Sequence, residues 1–222
     1  MNCPYCQSNQ VVKNGSNGVG APKFFCTHCS RQFVENPKNI RIPDHTKELI
    51  YKLLLEKISL AGVARVLDVS ETWLQKYVND QYKNIQKTLT VLEKSAPTFT
   101  IECDELWSLV KKRNNKQWVW LAIDRDTREI AGIYIGDRSE QSAQKLWDSL
   151  PLIYRQQAMC YTDFWAAYGA IFPINRHIPV GKESGKTNHI ERFNNTLRQR
   201  VSRLVRKALS FSKKLENHIG AI

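Results

Sequence analysis

The sequence predicts an α/β domain preceded by two small modules, one organised by cysteines and one all-helical. Three observations carry this expectation. Two Cys-x-x-Cys pairs fall within the first thirty residues, apolar residues recur at helical spacing from Asp44 to about Ile85, and strand-like alternation takes over after Pro97. The expected modules span residues 1–36, 44–85 and 97–222. A chain of 222 residues has room for one mid-sized domain and two small ones, and 42% hydrophobic with 24% charged residues is ordinary for a globular protein.

In the first module, nineteen residues separate the Cys3/Cys6 pair from the Cys26/Cys29 pair. Each pair suits a tight knuckle, and two knuckles supply the four soft ligands that tetrahedral zinc prefers. A segment this short cannot build a sufficient core, so one structural Zn²⁺ is expected to stabilise it. Lys13, Lys23 and Arg31, interleaved with Phe24, Phe25 and Phe33, give it a basic, aromatic character. His28 is expected at the surface, with replacement of a cysteine ligand as the alternative. The N-terminus lacks the pattern of a secretory signal, and no run approaches the roughly 18 apolar residues of a membrane span. The expected setting is the cytoplasm, at the nucleoid, with thiols reduced. Cys103 and Cys160 read as buried packing thiols.

Pro37 and Pro43 bracket a linker. Beyond it, Leu49, Leu53, Ile58, Val63, Val66, Val69, Leu74, Tyr77 and Val78 follow a helical period. Residues 59–78 have the pattern of a helix-turn-helix: small Ala64 allows close helix approach, the turn spans Leu67–Ser70, and Ser70 caps the second helix. Asp68 occupies the turn position where glycine is usual, and aspartate tolerates the left-handed conformation better than most residues. Thr72, Gln75 and Lys76, with Glu71, would then face DNA bases. A plain helical hairpin is the structural alternative.

After Pro97 the predicted order is three strands (98–104, 117–124, 129–135), a helix from Ser139 to Leu150, a strand at 157–162, a helix at 165–170, a strand at 174–178, a loop from Gly181 to Gly185, and a final basic helix reaching at least Lys207. That order is the one found in ribonuclease H-like nucleases, whose mixed sheet carries flanking helices. Asp104 is expected to end the first strand and Asp163 the fourth, with Glu191 early on the last helix. In such a sheet those two strands are neighbours, and three carboxylates there suit two hard cations. Glu102, Glu105 and Asp124 are rival acids. Asn195 and Arg198 fall one and two turns beyond Glu191 on the same face.

The charge balance fits these assignments. With 33 Lys+Arg against 21 Asp+Glu the chain carries a net charge of +12, which suits a polyanionic partner.

Taken together, the four-cysteine ribbon, the helix-turn-helix, Cys103-Asp104-Glu105-Leu106-Trp107-Ser108, Thr162-Asp163-Phe164-Trp165, His189-Ile190-Glu191-Arg192-Phe193-Asn194 continuing to Leu197-Arg198-Gln199, and Arg206 to Lys213 resemble transposases of the insertion-sequence-one type. The resemblance implies an acidic-triad (DDE) transposase. Asp104, Asp163 and Glu191 would hold two Mg²⁺ (or Mn²⁺) ions for cleavage and strand transfer, and the N-terminal modules would bind terminal inverted repeats in double-stranded DNA. It implies at least a dimer, a DNA-phosphate contact for Arg198, and for His189 either positioning of DNA or water or capping of the helix. The family usually runs a little beyond Ile222. The competing functions are a DNA-binding repressor with a non-catalytic nuclease-like domain, and a nuclease acting on branched DNA.

Overall fold

A computed structural model of the protein describes residues 1–35, 37, 41–85, 89, 91, 98–111, 114–204 and 212–222. The chain divides into two units, Met1–Lys47 and Glu48–Ile222.

In the first unit, β1 (Val11–Ser16), β2 (Pro22–Cys26) and β3 (Gln32–Val34) form an antiparallel sheet in that order. Asn17 closes the β1–β2 hairpin by accepting the N–H groups of Val19 and Ala21 at 3.1 and 2.8 Å. Gly20 takes φ +80°, a left-handed backbone that suits glycine. The apolar core here is small: Phe24 is buried and stacks on Phe33 with ring centroids 5.8 Å apart.

The helical module consists of α1 (Asp44–Leu55), α2 (Leu60–Val66) and α3 (Glu71–Lys83). Ile50, Val63, Ala64, Leu74 and Val78 form its buried core. Ser59 and Ser70 cap α2 and α3 through the N–H groups of Gly62 and Trp73. Asp68 lies in the turn with φ +50°, in the left-handed region expected for it. Ile58, expected on a helix, lies in the loop after α1, but its side chain still packs on this core.

The remaining elements are β4 (Thr100–Leu109), β5 (Lys116–Asp124), β6 (Ile130–Gly136), α4 (Glu140–Ser149), α5 (Leu152–Gln157), β7 (Met159–Thr162), α6 (Ala166–Ile171), β8 (His177–Pro179), α7 (Asn188–Arg200) and α8 (Leu215–Ile219). The sheet order is β6-β5-β4-β7-β8. β4, β5 and β6 pair antiparallel, β7 pairs parallel to β4, and β8 pairs parallel to β7. This is the ribonuclease H-like mixed sheet. Alternation along the strands divides the core between two faces. Ile101, Cys103, Trp120 and Ala122 meet Leu146, Tyr154 and Tyr168 of α4, α5 and α6 on one face. Leu106, Val119, Leu121 and Ile123 meet Ile190 of α7 and Leu204 on the other. Cys103 and Cys160 are fully buried, as packing thiols should be.

Several local expectations change. The final helix stops at Arg200: Val201 turns extended, and a 3₁₀ turn at Ser202–Leu204 buries Leu204 against the sheet. Burial of that leucine outweighs continuation of a basic rod. The expected stretch from 205 to 211, including Arg206 and Lys207, lies outside the described residues, as do Pro97 and most of 86–96. Helix α5 follows Pro151 where none was expected. β8 forms at His177–Pro179, later than predicted, and Ile174 is left almost wholly exposed. Among the described residues, no helix is long and apolar enough to cross a membrane.

Candidate active site and cysteine cage

Asp104 lies in the middle of β4 and does not end it. The antiparallel partner β5 continues the ladder as far as Leu109, opposite Lys116, whereas β7 pairs only with Thr100, Ile101 and Glu102. Asp104 therefore stands just past the point where β7 leaves the sheet, and Asp163 is the first residue after β7. Parallel pairing brings the two acids together although 58 residues lie between them in the chain. Carboxylate oxygens of Asp104, Glu105 and Asp163 all lie within 4.8 Å of one another.

Each of these acids is held from a different side. Asp104 faces α7, where its Oδ2 accepts from Asn194 Nδ2 at 2.8 Å, and its Oδ1 accepts from the Glu105 N–H at 2.9 Å. Asp163 Oδ1 accepts the Trp165 N–H at 2.9 Å. The hydroxyl of buried Thr162 donates to the Asp163 carbonyl at 2.7 Å, which leaves it to accept from His177 Nε2 at 2.8 Å. Burial first, then the neighbouring Glu105 charge, pushes the Asp104 carboxyl up to about 7. Burial likewise pushes Glu105 above the usual carboxylate range, against the pull of its hydrogen bonds to Arg138 and Tyr168.

Glu191 lines the same cavity, of about 380 Å³, together with Asn194, Asn195, Arg198, Arg138 and Lys182. It stands outside the tight three-acid cluster, with its Oε1 accepting from the Thr187 hydroxyl at 3.0 Å. Helix α7 is aimed at the site by Glu102. The start of this helix has no side-chain cap of its own, and Glu102 Oε2 accepts the N–H groups of His189 and Ile190 at 2.9 and 3.1 Å. A carboxylate at a helix N-terminus satisfies otherwise unpaired donors and complements the dipole. The His189 ring stands 3.9 Å from Glu102 Oε1 and does not line the cavity.

The rival acids are thereby sorted. Glu102 holds α7. Asp124 is buried in the β5–β6 turn, where it accepts the N–H groups of Asp126 and Thr127 and the Tyr154 hydroxyl. Glu105 remains inside the cluster, bonded to Arg138 and Tyr168. Sequence spacing alone does not separate these roles, because strand alternation sends adjacent Asp104 and Glu105 to opposite faces and only packed partners distinguish them.

In the first unit, the four cysteine sulfurs also lie within 4.8 Å of one another, with Cys3–Cys29 and Cys6–Cys26 each at 3.6 Å. Sulfurs tetrahedrally placed around zinc at about 2.3 Å stand roughly 3.8 Å apart, so the thiols fit that ion. Two matching knuckles build the cage. The N–H of Gln7 bonds the Cys3 carbonyl and that of Ser30 bonds the Cys26 carbonyl, each at 2.9 Å. Both residues take positive φ, +61° and +57°. His28 is exposed, outside the four-sulfur group. Arg31 lies over the Tyr5 ring at 5.0 Å. In the helical module, Glu71, Thr72, Gln75 and Lys76 are all exposed along α3.

A ribonuclease H-like sheet that presents clustered carboxylates beside a polar helix defines a nuclease-type enzyme. The particular kind follows from comparison: residues 98–222 match the family described as IS1 transposase, and residues 1–30 match the InsA N-terminal domain. The chain belongs to the IS1 transposase family. It is 34% identical over 119 residues to the insertion element iso-IS1n protein InsB of Shigella dysenteriae, covering 53% of this chain and 86% of that one. It is 33% identical over 117 residues to the insertion element IS1 protein InsB of Shigella flexneri, with coverage of 53% and 86%. Identity to the insertion element IS1 4 protein InsB of Escherichia coli (strain K12) is 32% over 117 residues, with coverage of 53% and 67%. Features described under InsA and InsB thus lie in one continuous chain here.

Proposed function

We propose that this transposase cleaves DNA at the ends of an insertion sequence and transfers the freed strand to a target, using cations held by Asp104, Asp163 and Glu191. The observation that carries the reading is the approach of Asp104 and Asp163 within 4.8 Å, in a cavity that Glu191 and Arg198 also line. Two carboxylates that close repel, and their oxygens are the hard donors that Mg²⁺ or Mn²⁺ takes. Two such ions, when bound, activate a water or 3′ hydroxyl and stabilise the departing oxygen of an in-line displacement.

The protein's own groups prepare that event. Asn194 orients Asp104, the Trp165 N–H orients Asp163, and Thr187 restrains Glu191 until it turns toward the cations. Arg198 and Asn195, on the cavity wall, engage DNA phosphate. His189, set against Glu102, steadies the start of α7. Residues 1–36, with one Zn²⁺, and the module at 44–85, through Thr72, Gln75 and Lys76, bind the terminal inverted repeats, and 97–222 carries out the chemistry. Joining two ends requires at least two copies, acting on DNA at the nucleoid. A repressor has no use for a half-buried, mutually repelling acid pair, which costs stability without contributing to DNA binding.

The test is cleavage of DNA carrying the element's ends, with Mg²⁺ and with EDTA. Asp163→Asn is expected to abolish Mg²⁺-dependent cleavage while retention of end-bearing DNA in a gel shift is unchanged. Cleavage by Asp163→Asn at the wild-type rate would remove Asp163 from the mechanism, and strand breaks insensitive to EDTA would remove the cations.

A further inference from the structure

We propose that Arg138 is a positioning residue that withholds Glu105 from the cations and so leaves Asp104 and Asp163 as the paired donors; this rests on the reading of the cavity as a divalent-cation site. Three acids compete at that point, since Glu105 falls in the same 4.8 Å cluster as the two aspartates. Both oxygens of Glu105 are already engaged. Oε1 accepts from Arg138 Nε at 2.8 Å and from Nη2 at 2.5 Å, and Oε2 accepts from the Tyr168 hydroxyl at 2.9 Å. The Glu105 side chain is only 1% exposed, so these donors, and not water, satisfy its oxygens and fix where they point.

Arg138 is itself fixed. Its guanidinium lies 3.8 Å from the Trp165 ring centroid and 4.4 Å from that of Trp118. Trp165 is the residue whose N–H orients Asp163. One side chain therefore ties β4 through Glu105, β5 through Trp118 and the turn after β7 through Trp165, which are the elements that set the Asp104–Asp163 spacing. A planar guanidinium can stack on rings and donate in its own plane at once, whereas a lysine ammonium cannot do both.

The experiment titrates the full chain with Mn²⁺ alone by calorimetry and measures cleavage in parallel. Glu105→Gln is expected to bind Mn²⁺ within about threefold of wild type, whereas Asp163→Asn loses more than about tenfold. Arg138→Ala frees the Glu105 carboxylate, so Mn²⁺ binds at least as tightly as in wild type while cleavage falls about a hundredfold. The double variant Arg138→Ala/Glu105→Gln returns Mn²⁺ affinity to the wild-type value and recovers part of the cleavage, the non-additivity expected of two residues acting as a unit. Arg138→Lys, which keeps the charge, lies between wild type and Arg138→Ala in cleavage and decides the matter together with Glu105→Gln if Arg138→Ala does not fold. Loss of Mn²⁺ binding in Glu105→Gln as large as in Asp163→Asn overturns the proposal by making Glu105 a ligand, yet leaves the cation-site reading intact. Weakened Mn²⁺ binding in Arg138→Ala that the double variant does not restore also overturns it. Wild-type protein that binds no Mn²⁺ overturns both readings.

Discussion

The cysteine cage and the carboxylate cluster each gather metal-binding groups within 4.8 Å, but they are built in opposite ways. The cage arises from two local knuckles within the first thirty residues, and around it the apolar core is little more than a buried Phe24 on Phe33. A zinc ion bound there would be a folding element. The carboxylate cluster is assembled by long-range pairing of β4 with β7 and by docking of α7, on a scaffold with cores on both faces of the sheet. That scaffold folds around its acids and holds them where charge is unfavourable. On the proposed reading, one region would depend on its ion to fold, and the other folds first and then offers acids that an ion would relieve.

The difference is sharpest in the response to losing a ligand. Cys26→Ser is expected to unfold the first unit, since structural zinc in small domains contributes about 10–16 kcal/mol. Dispersed NMR signals from residues 1–35 should collapse, while the thermal transition of the second unit persists. Retention of those signals in zinc-free protein would break the comparison.

The opposite response is expected at the acids. Asp104→Asn should stabilise the metal-free protein at pH 8 by about 1–4 kcal/mol, measured by urea unfolding. The folded carboxyl sits near 7 against a usual 3.8, so the fold favours the protonated form. That favourable contribution is full below about 3.8 and is lost as pH rises through about 7. Saturating Mg²⁺ should then stabilise wild type and not the variant, because only the former binds the ion.

His218 offers a control outside both regions. It is fully buried, its Nε2 lies 2.7 Å from Ser108 Oγ, and burial pulls its pKa down to about 4 from 6.5. The fold favours neutral imidazole, so this stabilisation is intact above about 6.5 and disappears as pH falls toward 4. Unfolding midpoints should drop across that window by the equivalent of about 1–3 kcal/mol, and His218→Gln should flatten the profile.

The smallest expected effect concerns the turn between α2 and α3. Asp68→Gly should stabilise the helical module by about 0.5–1 kcal/mol, because glycine adopts φ +50° without a side-chain penalty. A loss of stability on that change would mean that the aspartate side chain contributes more than its backbone costs.

Local features were legible in the sequence, and long-range ones only partly. The cage follows from cysteine spacing, Ser70 acts as a cap, and Asp68 takes the left-handed turn, since each is written in a short stretch of chain; the Ser59 cap on α2 came only with the structure. That the first and fourth strands of the sheet are neighbours, which brings Asp104 toward Asp163, followed from the element order; the rest of the strand order came with the structure. What spacing did not reveal was the third member of the tight cluster. Glu105 is adjacent to Asp104 in sequence but is distinguished by Arg138 and Tyr168, which come from other elements. Glu102 likewise became a helix anchor only once α7 was docked. The length of the last helix was overestimated because its basic residues fit a rod, while burial of Leu204 ends it.

The central claim, that carboxylates from β4, the end of β7 and α7 share cations, is tested most directly by anomalous diffraction from crystals of the protein soaked in Mn²⁺. The account predicts an Mn²⁺ peak about 2.0–2.3 Å from oxygens of both Asp104 and Asp163, with Glu191 turned toward it and Glu105 still on Arg138. An Mn²⁺ peak held by Glu105 without Asp163, or no peak between the two aspartates at saturating Mn²⁺, would contradict it.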